Sequence, residues 1–236
     1  MKIEHGKQVM ESLDEVVAPG HTALLMLDMI NDFLSPAGKL FNPNATDLDQ
    51  VLATVPRIAQ MLEAARSAGV LPVYVQNTFL SQGLDLSAGY LYFLHRRGVT
   101  LSDPLPTLEG TWGAQTIPQL KPREGEPVVT KRSYSGFLDT RLDAVLRSNG
   151  IETIVITGAS SYGCIVTTAL EGFCYGYYVA VPRECTAGTI RDWHQAAMSL
   201  MSPLLVGYED VLKVWQESAS ARASRPRRNA DMAPRR

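Results

Sequence analysis

Thr22–Asp28, TALLMLD, is an unbroken apolar run that ends in a carboxylate. A strand with one face in water alternates apolar and polar side chains, whereas an unbroken run fits a strand buried on both faces, as in a parallel sheet. Ile151–Thr157 (IETIVIT) reads the same way, and Val70–Gln76 (VLPVYVQ) is a third such run, with Pro72 marking its start or an irregularity. Val128–Thr130, Tyr177–Pro182 and Leu204–Val206 read as further strands. Helical patterns lie between them. Leu48–Ala68 places Val51, Val55, Ile58, Ala59, Leu62 and Ala65 at helical spacing and stops at Gly69. Leu138–Ser148 is read as a helix with Asp139 or Thr140 near its start and Asn149-Gly150 as its stop. Gly113–Leu120, Gly163–Tyr175, Ile190–Met201 and Tyr208–Trp215 complete the set. The alternation of strand and helix predicts an α/β fold: a three-layer α/β/α arrangement around a doubly wound, mostly parallel sheet.

Outward from this frame, residues 1–20 are expected to be an N-terminal extension, 21–217 a single domain, and 218–236 a flexible tail. The tail carries six arginines from Arg222 onward against one acid, Asp231, which also suits an arm that reaches a neighbouring subunit or an acidic partner. Residues 77–112 have no clean period and are read as a long excursion with short helices, a lid or a subunit contact. The whole chain has 236 residues, 45% of them hydrophobic, enough for one well-buried core. A net charge of −2 points to neither nucleic acid nor an anionic membrane as partner. Three cysteines are too few, and odd in number, for a disulfide framework, so a reducing cytoplasm is expected. The mixed-charge N-terminus does not read as a signal peptide, and no apolar run is long enough to span a membrane.

In open parallel sheets, sites form beyond the carboxyl ends of strands. Three reactive side chains stand at such positions. Asp28 ends the first run, Lys131 follows the short strand after Glu126, and Cys164 follows the small-residue turn Gly158–Gly163 at the start of a helix. A cysteine in the first turn of a helix feels the positive end of the helix dipole, which favours thiolate, and free N–H groups there can hold an oxyanion. Cys164 is therefore the candidate nucleophile, Asp28 the candidate base, and Lys131 the charge that lowers the thiol pKa and keeps Asp28 ionised. Taken singly, each also fits a structural role: a buried cysteine, a loop cap, a surface lysine. Cys174 and Cys185 read as structural.

The segments LLMLDMINDF (Leu24–Phe33), KRSYSGFLDTRLDAVLRSNGI (Lys131–Ile151) and VITGASSYGCIVTTA (Val155–Ala169) resemble the isochorismatase-like cysteine hydrolases. The most specific parts are the K-x-x-x-S-G-F-x-x-T-x-L block from Lys131 and the strand–turn–Cys–helix block. The resemblance implies an Asp-Lys-Cys triad at Asp28, Lys131 and Cys164. It also implies a non-proline cis peptide at Ala159–Ser160, which turns the N–H of Ser160 toward the same point as that of Cys164, as an oxyanion hole. Within the family the Lys131 block and Val73–Asn77 look closest to ureidoacrylate and related carbamoyl-amide hydrolases. Ser161-Tyr162-Gly163 departs from their usual Thr-Asn-Val, and Gly163 before the cysteine is similar to the carbamoylsarcosine and maleamate amidase branches.

The resemblance thus implies a cysteine amidohydrolase acting on a small ureide, carbamoyl compound or primary amide, in a homodimer or homotetramer. Asn31, Phe33, Gln76, Asn77, Trp112, Tyr134, Phe137 and Tyr162 are expected around the substrate, and Arg132 or Lys39 against any substrate carboxylate. Metal-dependent nicotinamidases of the family carry an Asp-x-His pair; His5, His21, His95 and His194 form none, so no metal and no other cofactor is expected. The alternatives are a nicotinamidase-like or isochorismatase-type hydrolase, and a catalytically silent oligomeric homologue.

Overall fold

A computed structural model describes residues 1–42 and 47–224. The chain opens with a small antiparallel hairpin, β1 (Lys2–Glu4) and β2 (Lys7–Val9), and a short helix α1 (Leu13–Val16) capped by Ser12. Strand β3 (Thr22–Leu27) is buried at every residue. It is followed by α2 (Asn31–Leu34), the long α3 (Leu48–Ala68), β4 (Leu71–Asn77), α4 (Ala88–Arg96) and β5 (Val128–Lys131). The second half runs α5 (Leu142–Ser148), β6 (Thr153–Ala159), α6 (Val166–Cys174), β7 (Tyr178–Pro182), β8 (Thr186–Ala187), α7 (Arg191–Leu200), β9 (Leu205–Val206) and α8 (Tyr208–Ala223).

The main sheet has seven strands in the order β5-β4-β3-β6-β7-β9, with β8 joined to the end of β6. Every pairing within it is parallel. The apolar runs are explained by this placement, because β3 and β6 lie at the centre with helices on both faces. Leu24, Met26, Tyr74 and Val155 pack on one side against α3 and α8, through Ile58, Met61, Leu62 and Trp215. Leu25, Leu27, Val75 and Ile156 pack on the other against α5, α6 and α7, through Leu146, Ile165, Ala169 and Ala197. The direction of winding reverses between β3 and β6, and the crevice at that switch point is where such sheets bind ligands.

Gly158 makes the central pairing possible. Its φ is +122°, and a Cβ added there would stand 2.1 Å from the Leu27 carbonyl oxygen.

Several sequence expectations need correction. The N-terminal extension carries the hairpin and α1 and packs on the domain: Val17 is fully buried, and its carbonyl accepts a 2.9 Å hydrogen bond from Trp215 Nε1. The last helix passes Trp215 and carries residues 218–223 of the expected tail, with Arg222 Nη1 donating to the Ala68 carbonyl; the rest of that tail, 225–236, lies outside the described residues. Residues 113–120 form no helix, only the single turns Trp112–Ala114 and Pro118–Leu120. The helix placed at Leu138 starts at Leu142, because Asp139 has φ +55° and Thr140 Oγ1 accepts from Leu142 N at 3.0 Å. The helix read from Gly163 is present, with a wide π-type first turn, Ser161–Ile165, that leads into α6.

Candidate active site

Asp28 follows β3 with φ +57°, a left-handed conformation that aspartate tolerates better than most residues. Two local bonds fix it, Asp28 N to the Val75 carbonyl and Ile30 N to the Asp28 carbonyl, at 2.9 and 2.8 Å. Its Oδ1 accepts from Asn77 N at 2.7 Å. Lys131 is the last residue of β5, in register with Asn77 two strands from β3. Its ammonium lies 2.9 Å from Asp28 Oδ2, and neither side chain is exposed. The same ammonium donates to Cys164 Sγ at 3.1 Å and to the Ser133 carbonyl at 2.8 Å. The three strand-end residues singled out from the sequence therefore meet at one nitrogen.

The electrostatics differ from expectation. Burial pushes the Cys164 thiol up to about 12; the Asp28 carboxylate pushes it the same way, and Lys131 only partly offsets them. Desolvation at this depth opposes the lowering that a helix start favours. For Lys131 burial opposes the charge, but the Asp28 carboxylate beside it holds the ammonium above lysine's ordinary range.

The block after Lys131 holds the loop in place. Ser135 Oγ accepts from Phe137 N and Leu138 N and donates to the Glu171 carboxylate. Gly136 N donates to Thr168 Oγ1 at 2.9 Å, and Thr140 Oγ1 donates back to the Gly136 carbonyl at 2.6 Å. These bonds tie the Lys131 loop to α6, whose preceding turn carries Cys164. The Ala159–Ser160 peptide is cis. Ser160 Oγ is buried with no hydrogen-bond partner among the described residues. Ser161, fully buried, meets His194 Nδ1 at 2.9 Å, a contact that sequence spacing does not reveal.

Asp28, Ser160 and Cys164 open onto a cavity of about 290 Å³. Of the expected substrate contacts, Phe33, Asn77, Tyr134 and Tyr162 line it. Four do not. Asn31 donates to the Trp112 carbonyl at 2.8 Å and pins that turn, while the Trp112 side chain is half exposed. Gln76 Nε2 donates to Thr116 Oγ1 at 2.7 Å. Phe137 is core, stacked on Tyr175 and Tyr177 at 5.1 and 5.9 Å. Neither expected anion binder is available: Arg132 pairs with Asp85 and Glu109, and Lys39 Nζ donates to the Pro104 and Leu105 carbonyls.

The excursion at 77–112 supplies much of the remaining wall through Phe79, Tyr90, Leu94, Arg97 and Leu101. A signal for α4 was present: Ser87, which caps Tyr90 N, precedes Tyr90, Leu94 and Arg97 at i, i+4 and i+7, and Gly98 follows in the left-handed conformation. Buried Asp32, also unanticipated, braces the excursion by accepting from Lys39 N and Thr107 N. No group of three or more His, Cys, Asp or Glu side chains converges as a metal centre among the described residues. No described helix is long and apolar enough to cross a membrane.

The chain is 32% identical to the ureidoacrylate amidohydrolase RutB of Enterobacter sp. (strain 638) over 176 residues, covering 72% of this chain and 76% of that one. Its fold is similar to a cysteine hydrolase from Pseudomonas syringae pv. phaseolicola 1448A, with TM-score 0.73 and 23% identity over 85% of this chain and 94% of the other. It is similar also to the N-carbamoylsarcosine amidase of Thermoplasma acidophilum, with TM-score 0.63 and 25% identity over 80% and 97% of the two chains. The isochorismatase domain model matches residues 22–209, the full span of the sheet and its switch-point crevice, and the chain belongs to the isochorismatase family.

Proposed function

We propose that this protein is an amidohydrolase that cleaves the C–N bond of a small ureide, carbamoyl compound or primary amide through a covalent Cys164 intermediate. The observation that carries the reading is the Lys131 ammonium within 3.1 Å of Cys164 Sγ and 2.9 Å of Asp28 Oδ2, beside a cavity that Asp28 and Cys164 line. The names of two relatives, an ureidoacrylate amidohydrolase and an N-carbamoylsarcosine amidase, support the bond type.

The proposed sequence starts from a neutral thiol. Asp28 takes the Cys164 proton as sulfur attacks the carbonyl carbon, so charge moves from the carboxylate to the developing oxyanion beside a fixed ammonium. The backbone N–H groups of Ser160 and Cys164 are the proposed oxyanion donors; one such donor contributes roughly 3–4 kcal/mol in comparable sites. The C–N bond breaks as Asp28 returns the proton to the leaving nitrogen. Water, deprotonated by Asp28, then attacks the thioester, and the thiol is regenerated as the acid or carbamate leaves. The reaction as written uses no metal or cofactor.

The reading includes a homo-oligomer in a reducing cytoplasm. Exposed apolar side chains on two helices, Tyr92 and Phe93 on α4 and Leu170 and Phe173 on α6, support the first, and three unpaired cysteines the second. Light scattering that returns a monomer mass would contradict the oligomer. An ammonia-release screen over ureidoacrylate, carbamoylsarcosine, maleamate, biuret, triuret and nicotinamide tests the activity. Release from a carbamoyl or ureide compound is expected; release from nicotinamide alone contradicts the substrate reading, and release from none contradicts the activity.

A further inference from the structure

Arg97 closes α4 and lies in the wall of the cavity. Arg66, Arg132 and Arg191 each pair with a carboxylate. Arg97 has no ion pair among the described residues. Its Nη1 donates to the Tyr134 hydroxyl, and its Nε is buried with no hydrogen-bond partner. Three rings surround the guanidinium instead, Phe93, Tyr162 and Trp193, at 5.8, 5.6 and 5.0 Å from their centroids. Aromatic faces stabilise the cation, and the Tyr134 hydroxyl takes an N–H of Nη1, yet no carboxylate meets the planar guanidinium fork among the described residues. Leu40, Val51 and Phe79 also line the cavity, with Asn42, Asn77 and Thr189 among its polar lining. A partly buried cation with no carboxylate partner in the cavity wall attracts an anion that enters.

Tyr134 connects this cation to the candidate nucleophile. Its hydroxyl accepts from Arg97, and its ring lies 3.7 Å from where a Cβ on Gly163 would stand, one residue before Cys164. A ligand that fills the cavity along Tyr134 therefore meets the sulfur at one end and the guanidinium at the other. The fork of an arginine matches a carboxylate in two parallel hydrogen bonds.

We infer that Arg97 anchors a substrate carboxylate, so that the molecule cleaved is a carboxylated amide or ureide rather than a neutral one. This deepens the amidohydrolase reading and rests on it for the word substrate. The competing role for Arg97 is a clasp only, holding α4 to Trp193 on α7 through ring contacts.

Occupancy distinguishes the two without turnover. Succinate and fumarate, with their dimethyl esters as neutral matches, are titrated as protectants of Cys164 against iodoacetamide. Peptide mass spectrometry reads the alkylation, with exposed Cys174 as internal reference. Wild type is expected to be protected at lower concentration by the acids than by the esters. In Arg97→Met the half-protecting acid concentration should rise about 10- to 100-fold, the range expected for loss of charge-assisted hydrogen bonds. Arg97→Lys, which keeps the charge, should fall between. Equal half-protecting concentrations in wild type and Arg97→Met would overturn the inference and leave the clasp. Esters protecting wild type as well as acids do would overturn it too. Ammonia release by the wild type tests the amidohydrolase reading separately, so either can fail alone.

Discussion

Lys131 and Asp28 form an ion pair at 2.9 Å with both side chains fully buried. A buried pair that loses one partner leaves an uncompensated charge, which costs about 3–5 kcal/mol. Lys131→Met is expected to lower unfolding free energy by that amount. Asp28→Asn keeps the left-handed backbone accessible while removing the charge. The double variant Asp28→Asn/Lys131→Met should be more stable than Lys131→Met alone. Urea unfolding of the four proteins checks this, and additive losses would contradict it.

The second prediction concerns alkaline pH. Burial pushes the thiols of Cys164 and Cys185 up to about 12 from an ordinary 9.0. Both are raised in the folded state, so their contribution is fully present below the ordinary value and is lost as pH climbs from there toward the folded value. Lys131, also raised, acts in the same direction. Stability should therefore fall steadily above about pH 9, and the fall should be shallower in Cys185→Ala. Thermal melts at constant ionic strength measure it; a flat profile to pH 11 would contradict the assignment.

Gly158→Ala forces a methyl group to within 2.1 Å of the Leu27 carbonyl oxygen. The β3–β6 pairing must move, and the turn that carries Ser160 and Cys164 with it. A stability loss above about 2 kcal/mol is expected, together with activity reduced at least tenfold. Guanidinium melts and initial rates on one preparation test the coupling. A variant of full stability and activity would show that the central pairing does not need glycine there.

Phe137→Ala tests the correction made to the substrate wall. The ring is 4% exposed and sits between aromatic neighbours away from the cavity. Its loss should cost about 3–5 kcal/mol of stability, with KM nearly unchanged in the folded fraction. A raised KM at unchanged stability would return Phe137 to the pocket.

The central sheet was legible because β3 and the Ile154–Ile156 centre of β6 are short apolar runs, a pattern that fits burial on both faces. The three residues that meet at the Lys131 ammonium were legible because each stands at a strand end or the turn beyond it, where parallel topology gathers side chains. Their electrostatics were not. The depth at which Cys164 lies is a tertiary property, and it opposes the direction that a helix N-terminus suggests. The cavity wall was half legible. Tyr134 and Tyr162 adjoin the motif residues, but Arg97 comes from an excursion whose helix shows only as a cap and three spaced side chains. Asn31, Gln76 and Trp112 lie near the site in sequence, yet their bonds serve the loops around it.

The most direct test is intact-mass spectrometry of wild type and Cys164→Ser during turnover of the best compound from the ammonia-release screen. The account predicts an acyl adduct on wild type that maps to Cys164, and ammonia release reduced at least 10³-fold in Cys164→Ser, an order typical for loss of a nucleophile. Ammonia release by Cys164→Ser near the wild-type rate, with no adduct on Cys164 in the wild type, would contradict it.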